Sequence, residues 1–81
     1  MGHASDAACN DGSFLQIQFD ARRASAFVVE PGAPPAMLFR VPARPEVARY
    51  ASGPAFLVGV GEVIRWSRFG EPPRVCRPRL Q

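Results

Sequence analysis

The sequence predicts an all-β fold, a small antiparallel barrel or sandwich, on three observations. Apolar and polar residues alternate at a period of two, most clearly in Phe14-Leu15-Gln16-Ile17-Gln18-Phe19, the pattern of a strand with one buried face. Nine prolines and seven glycines interrupt the chain too often for long helices. Two cysteines, Cys9 and Cys76, stand near the two ends of a chain of 81 residues. That length means one domain, and a domain so small has little core of its own and gains from a staple.

The elements follow in order. Met1-Gly2-His3 reads as a tag, so residues 1–8 are expected to be tag and tail, with the domain running over residues 9–77 and a tail over 78–81. In Phe14–Phe19, Leu15, Ile17 and Phe19 share one face and Gln16 and Gln18 the other. Asp20-Ala21-Arg22-Arg23 is a polar turn. Ala26–Glu30 is a second strand, with Phe27 and Val29 opposite Val28. Glu30-Pro31-Gly32-Ala33-Pro34-Pro35 is a loop, since its three prolines have no backbone donor for a ladder. Met37–Val41 is a third strand, and Pro42 and Pro45 bracket the next break. Val47–Tyr50 is a short fourth strand, closed by the turn Ser52-Gly53-Pro54. Ala55–Val60, the most apolar run, is expected to be buried on both faces. Gly61-Glu62 is a tight hairpin turn or a bulge. Val63–Phe69 is a sixth strand, with Ile64 and Trp66 facing away from Val63 and Arg65. Gly70-Glu71-Pro72-Pro73 is a turn, and Arg74–Arg77 is the closing strand that carries Cys76. There is no internal repeat.

The two cysteines allow two readings. They form a bridge in an oxidising compartment, or they are buried free thiols in a reducing one. An even count placed near both ends fits a secreted framework. A bridge between them closes a loop long enough for the chain-entropy model to give roughly 4 kcal/mol. It also places the two ends of the fold side by side, where first and last strands close the sheet and remove its edges.

Composition narrows the function. No stretch is long and apolar enough for a spanning helix, which needs about 20 residues; Ala51 to Gly61 is short and contains Gly53, Pro54, Gly59 and Gly61. No signal peptide is visible. Asp6-Ala7-Ala8-Cys9 resembles the end of a lipoprotein signal, yet acylation there would leave Cys76 alone, and the apolar stretch such a signal needs does not precede it. The single histidine, His3, lies in the tag segment, so nucleophile systems built on histidine are not expected. Two cysteines and one histidine do not make a zinc site. Gly59-Val60-Gly61 lacks the longer glycine pattern and following helix of a phosphate cradle. Glu30, Glu46, Glu62 and Glu71 carry no spacing that pairs any two for glycoside hydrolysis. The expectation is a non-enzyme with no cofactor and no metal.

All ten basic residues are arginine. Residues 1–39 carry two arginines and four acids, and residues 40–81 carry eight arginines and three acids, so the second half suits an anionic partner. Arg65, Arg68, Arg74, Arg77 and Arg79 interleave with Trp66 and Phe69, as in small barrels that stack single-stranded nucleic acid. The plainer account is Trp66 in the core and arginine standing in for lysine throughout; nucleic acid is the remote alternative.

Cys9-Asn10-Asp11-Gly12, followed by Leu15, Ile17, Phe19 and Asp20, resembles the opening of the bacterial inhibitors of c-type lysozyme in their membrane-bound and periplasmic forms. Ala48-Arg49-Tyr50-Ala51-Ser52-Gly53 resembles that family's central Ala-Arg-Tyr-Ser-x-Gly stretch. Phe56 to Ile64, with Gly61-Glu62, resembles its later strand and Lys-Gly-x-x-Ala motif, and Cys76 falls where the family has its second cysteine. The resemblance runs in order from residue 9 to residue 77. It implies a closed antiparallel β-barrel of about seven to eight short strands, with a disulfide between the first and last. It further implies export to the periplasm or outer membrane, soluble or lipid-anchored, and inhibition of a c-type lysozyme partner by a loop pushed into its cleft.

In that family a serine just before the Arg-Tyr pair and the lysine of the Lys-Gly motif hydrogen-bond the enzyme's two catalytic carboxylates, as a hydroxyl and a cation are suited to do. This chain has Glu46-Val47 where the family has Ser-Gly and, with one deletion in the preceding strand, Val60 where it has the lysine; the motif's last alanine is Ile64. A carboxylate at Glu46 repels an acidic pair unless protonated or bridged. Arg49 is the candidate replacement cation and Ser52 the replacement hydroxyl. The contact candidates are therefore Glu46, Arg49, Tyr50, Ser52, Val60, Gly61 and Glu62. Two readings follow: a lysozyme inhibitor, or a barrel of the same kind that has lost inhibition and serves another envelope or partner-binding role. For Tyr50 the competing role is a barrel residue with its hydroxyl bonded, and for Ser52-Gly53 a plain turn.

Overall fold

The computed structural model describes residues 3–53, 55–68 and 71–78. They form eight strands: β1 (His3–Cys9), β2 (Phe14–Phe19), β3 (Ser25–Val29), β4 (Ala36–Val41), β5 (Val47–Ser52), β6 (Ala55–Val60), β7 (Val63–Ser67) and β8 (Arg74–Pro78). Each is antiparallel to the next, and β8 returns to β1, so the sheet is a closed barrel with no free edge. Of the barrel and the sandwich that the strand pattern leaves open, the fold is the closed antiparallel barrel that the resemblance implies. Phe69, Gly70, Arg79 and most of the C-terminal tail lie outside the described residues.

Alternation decides what fills the barrel. Leu15 and Ile17 of β2, Ala26 and Val28 of β3, Leu38 of β4, Tyr50 of β5, Leu57 of β6 and Trp66 of β7 all point inward and are buried. Phe19, Ala48 and Ile64 pack against them. The interior is thus filled by apolar side chains. Cys9 and Cys76 face each other directly in the β1–β8 ladder and form a disulfide across 67 positions of sequence. The bridge lies on the seam where the first and last strands close the barrel.

β5 runs on through Ser52 and β8 through Pro78, beyond the bounds read from the sequence, and two larger features also differ. Residues 3–8, expected to be tag and tail, join Cys9 in β1 (His3–Cys9), so the barrel begins there rather than at residue 9. The segment holds no β-branched or aromatic residue; pairing with β2 on one side and β8 on the other makes it a strand, a case of tertiary context overriding propensity. Ala55–Val60, expected to be buried on both faces, has Ala55 and Leu57 inside but leaves Phe56 and Val60 about half exposed. Among the described residues, none forms a second layer over the outer side of this barrel.

Strand direction sorts the connections. Those after β2, β4 and β6 lie at one end of the barrel, here the loop end; those after β1, β3, β5 and β7 lie at the other, the clasp end. At the loop end, Asp20 organises the β2–β3 turn. Its carboxylate Oδ1 accepts the Ala24 amide at 2.6 Å and the Ser25 amide at 3.2 Å. The turn puts Arg23 at φ 56°, and its carbonyl accepts the buried Tyr50 hydroxyl at 2.8 Å. The β6–β7 turn is the two-residue hairpin foreseen at Gly61-Glu62, with Val60 paired to Val63. Gly61 has φ 59°, the positive value that a type II′ hairpin needs at its first central position.

Candidate functional site: the two ends of the barrel

The ladder register places the candidate contact residues. Val47 pairs with Val60, so Glu46, one residue earlier, stands beside Gly61 and Glu62 at the loop end. Glu46, Val60, Gly61 and Glu62 are all exposed there. Arg49, opposite Val58, points outward from the middle of β5 and is exposed on the barrel wall. Tyr50 is in the core, 2% exposed, with its hydroxyl spent on Arg23. Ser52, opposite Ala55, sits half-buried at the clasp end beside Gly53. The fold thus brings four of the seven together and separates the other three from them.

Sequence reasoning passed over the cations of the loop end. Arg44 is exposed in the β4–β5 connection, where the Val47 amide donates to the Arg44 carbonyl at 2.9 Å and closes a turn. The signal was present in Pro42-Ala43-Arg44-Pro45, a short loop stiffened by proline on both sides of an arginine. Arg23 and Arg40 reach over the mouth of the barrel, their guanidinium carbons 5.1 Å from the centre of the Phe19 ring and 5.7 Å from that of Tyr50, within cation–π range. Arg22, Arg23, Arg40 and Arg44 share this end with Asp20, Glu46 and Glu62, so it has a cationic excess.

The clasp end is built around Glu30, the one buried charged residue among those described, 5% exposed. It follows β3 directly and keeps that strand's inward phase. Arg74 Nη2 lies 2.5 Å from Glu30 Oε2, and Arg68 Nε lies 2.7 Å from Oε1. The Arg68 pair is one of proximity, its N–H not aimed along a hydrogen bond. Arg68 Nη2 also donates to the Pro34 carbonyl at 2.9 Å. Arg74 reaches Ser13, Asp11 and Glu71. The Ser13 hydroxyl and amide both donate to Asp11 Oδ1, and these bonds, helped by the charge of Arg74, hold the Asp11 carboxyl below its ordinary value of 3.8. One glutamate thereby ties the β3–β4 and β7–β8 loops together, and Arg74 adds the β1–β2 loop. These charges satisfy one another, which makes the cluster a structural clasp. Nothing in the sequence pairs Glu30 with arginines about forty residues away.

The same clasp takes Arg68 and Arg74 out of the arginine–aromatic series, and Trp66 is fully buried. These residues therefore form no exposed stacking surface of the kind single-stranded nucleic acid uses. Among the described residues, no group of three or more His, Cys, Asp or Glu is placed to hold a metal ion.

No family model, curated protein or solved structure matches this chain.

Proposed function

We propose that this protein acts by protein–protein binding through the loop end of its barrel, and that its partner is a c-type lysozyme whose acidic cleft receives the Pro42–Glu46 loop and the Gly61-Glu62 turn. The observation that carries this is the pairing of Val47 with Val60. It joins, at one mouth, the two segments in which the resembling inhibitors carry their contact serine and lysine. Here the cation comes from Arg44, two residues from Glu46. Its guanidinium bridges Glu46 to an enzyme carboxylate and removes the repulsion that Glu46 alone would cause. Arg49 and Ser52, facing the outer wall and the far end, are not needed for this contact. The disulfide supports a life in an oxidising compartment, the periplasm or outer membrane.

The test is the rate at which a c-type lysozyme clears bacterial cell walls, with and without the folded, oxidised protein. Inhibition that weakens at least tenfold in Arg44→Ala supports the reading. No inhibition at high micromolar concentration overturns it. The second reading, a barrel that has left lysozyme for another partner, is favoured by one observation: Glu46, Val60 and Glu62 give the tip acidic and apolar groups in place of a hydroxyl and an ammonium.

A further inference from the structure

The outer wall of the barrel has two unlike sides. Outward positions on β1, β2 and β8 include Asp6, Gln16, Gln18 and Arg77, all exposed, with Phe14 at 48% the large apolar side chain among them. On β4 to β6 the exposed outward residues include Met37 at 47%, Phe39 at 58% and Phe56 at 48%. The register fixes their arrangement. Phe39 pairs with Ala51, and Ala51 with Phe56, so two phenyl rings flank an alanine on one rung, about 10 Å apart by twice the strand spacing. The next rung toward the loop end reads Val41, Arg49, Val58, Arg65. Its two arginines are again about 10 Å apart, and about 7 Å along the strands from the phenyl rings. Among the described residues, the outward positions of β4 to β7 carry these two charges and no acid, and neither arginine makes an ion pair with a described residue.

We propose that this wall docks on an anionic lipid surface, with Met37, Phe39 and Phe56 dipping among the headgroups and Arg49 and Arg65 on lipid phosphates. A contiguous exposed apolar patch marks an interaction surface, and charge selects the occupant. A second copy docked by the same wall would bring four arginines together with no acid between them. A phosphate-bearing surface supplies the missing charge at many positions. It also yields around a convex wall, whereas a protein partner would need a matching hollow. Arginine suits the role because its guanidinium forks onto phosphate while its stem lies along apolar neighbours. The barrel rests on such a surface and does not pass through it. Its strands of five to seven residues fall short of the roughly 9–11 that spanning requires, and its outer wall carries Asp6, Gln16 and Gln18 where a spanning barrel needs a continuous apolar band. The surface is separate from the loop end and stands whether or not lysozyme is the partner there.

Sedimentation with phosphatidylcholine vesicles, with and without phosphatidylglycerol, tests this at low and at physiological salt. Binding is expected to the anionic vesicles and to weaken with salt. An arginine near an anionic surface contributes about fivefold in binding, so R49A/R65A is expected to bind roughly 30-fold more weakly. Phe39→Trp, at an exposed position, reports insertion as a blue shift in emission on the same vesicles, while thermal unfolding checks that each variant is folded. Three results overturn the proposal: no sedimentation of the native protein at low salt, equal binding by R49A/R65A, which assigns attachment to the arginines of the loop end, or a dimer that covers Phe39 and leaves vesicles alone.

Discussion

Among the described charged residues, Glu30 is the one whose loss the barrel should feel most, because it alone is buried. Its side chain is 4% exposed and faces two arginines that are 22% and 17% exposed. Glu30→Gln keeps the volume and leaves both cations facing a neutral amide. Removing one partner of a buried pair costs about 3–5 kcal/mol, and because both arginines retain some water the loss here is set at about 3 kcal/mol. The urea midpoint of the variant measures it. Asp11 makes a prediction of different sign logic. Its carboxyl titrates lower in the folded protein than its ordinary 3.8. The stability it contributes is complete above that ordinary value and is lost as pH falls through the lower, folded one. An NMR titration of the Asp11 side-chain carboxyl is expected to give a midpoint below 3.8, moving up toward it in Ser13→Ala.

At the scale of single elements, β6 and its hairpin contrast two glycines. Gly59 points inward and, with Ala48, Tyr50 and Ile64, borders an apolar cavity of about 40 Å³. A methyl group there would meet Ala48 at 4.0 Å, ordinary contact, on backbone with no positive φ. Gly59→Ala is expected to stabilise by about 0.4–1 kcal/mol. Gly61 has open space around it but a φ of 59°, so Gly61→Ala costs about 1–2 kcal/mol. Thermal unfolding of the two variants should move in opposite directions. The same elements show what could be read from sequence. Phe14–Phe19 and Ala55–Val60 have the bounds that alternation and turn residues suggested, because both local signals agree with the fold. β1 was hidden because His3–Cys9 owes its conformation to neighbours on both sides. The exposed side of β6 was hidden because an unbroken apolar run reads alike whether or not a second layer covers it.

For the whole molecule, the disulfide is the closure of the sheet as well as a link between chain ends. Reducing it, or making C9A/C76A, is expected to cost about 4 kcal/mol, the chain-entropy value for so long a loop. It should also loosen β1 and β8 first, visible as faster amide exchange at Ala7 and Ala8. Equal protection in oxidised and reduced protein would mean that core packing alone holds the seam. The staple is legible in the sequence because Cys9 and Cys76 are an even pair, one near each end of a short chain. The candidate site was legible only in part. Glu46, Gly61 and Glu62 lie in breaks that the sequence marks and Val60 ends the strand before one, whereas the inward phase of Tyr50, the far-end position of Ser52 and the burial of Glu30 are consequences of register. A one-residue shift in pairing reverses every such assignment.

The central claim is that the loop end binds a lysozyme cleft, and one comparison tests it most directly: inhibition of a c-type lysozyme by the native protein, by R44A and by E46S/V60K, all oxidised and folded. The account predicts inhibition by the native chain, a loss of at least tenfold in R44A, and stronger inhibition in E46S/V60K, which restores a hydroxyl and a cation to the paired positions. Absence of inhibition by the native chain at high micromolar concentration would contradict it, and inhibition by E46S/V60K alone would assign the native chain to another partner.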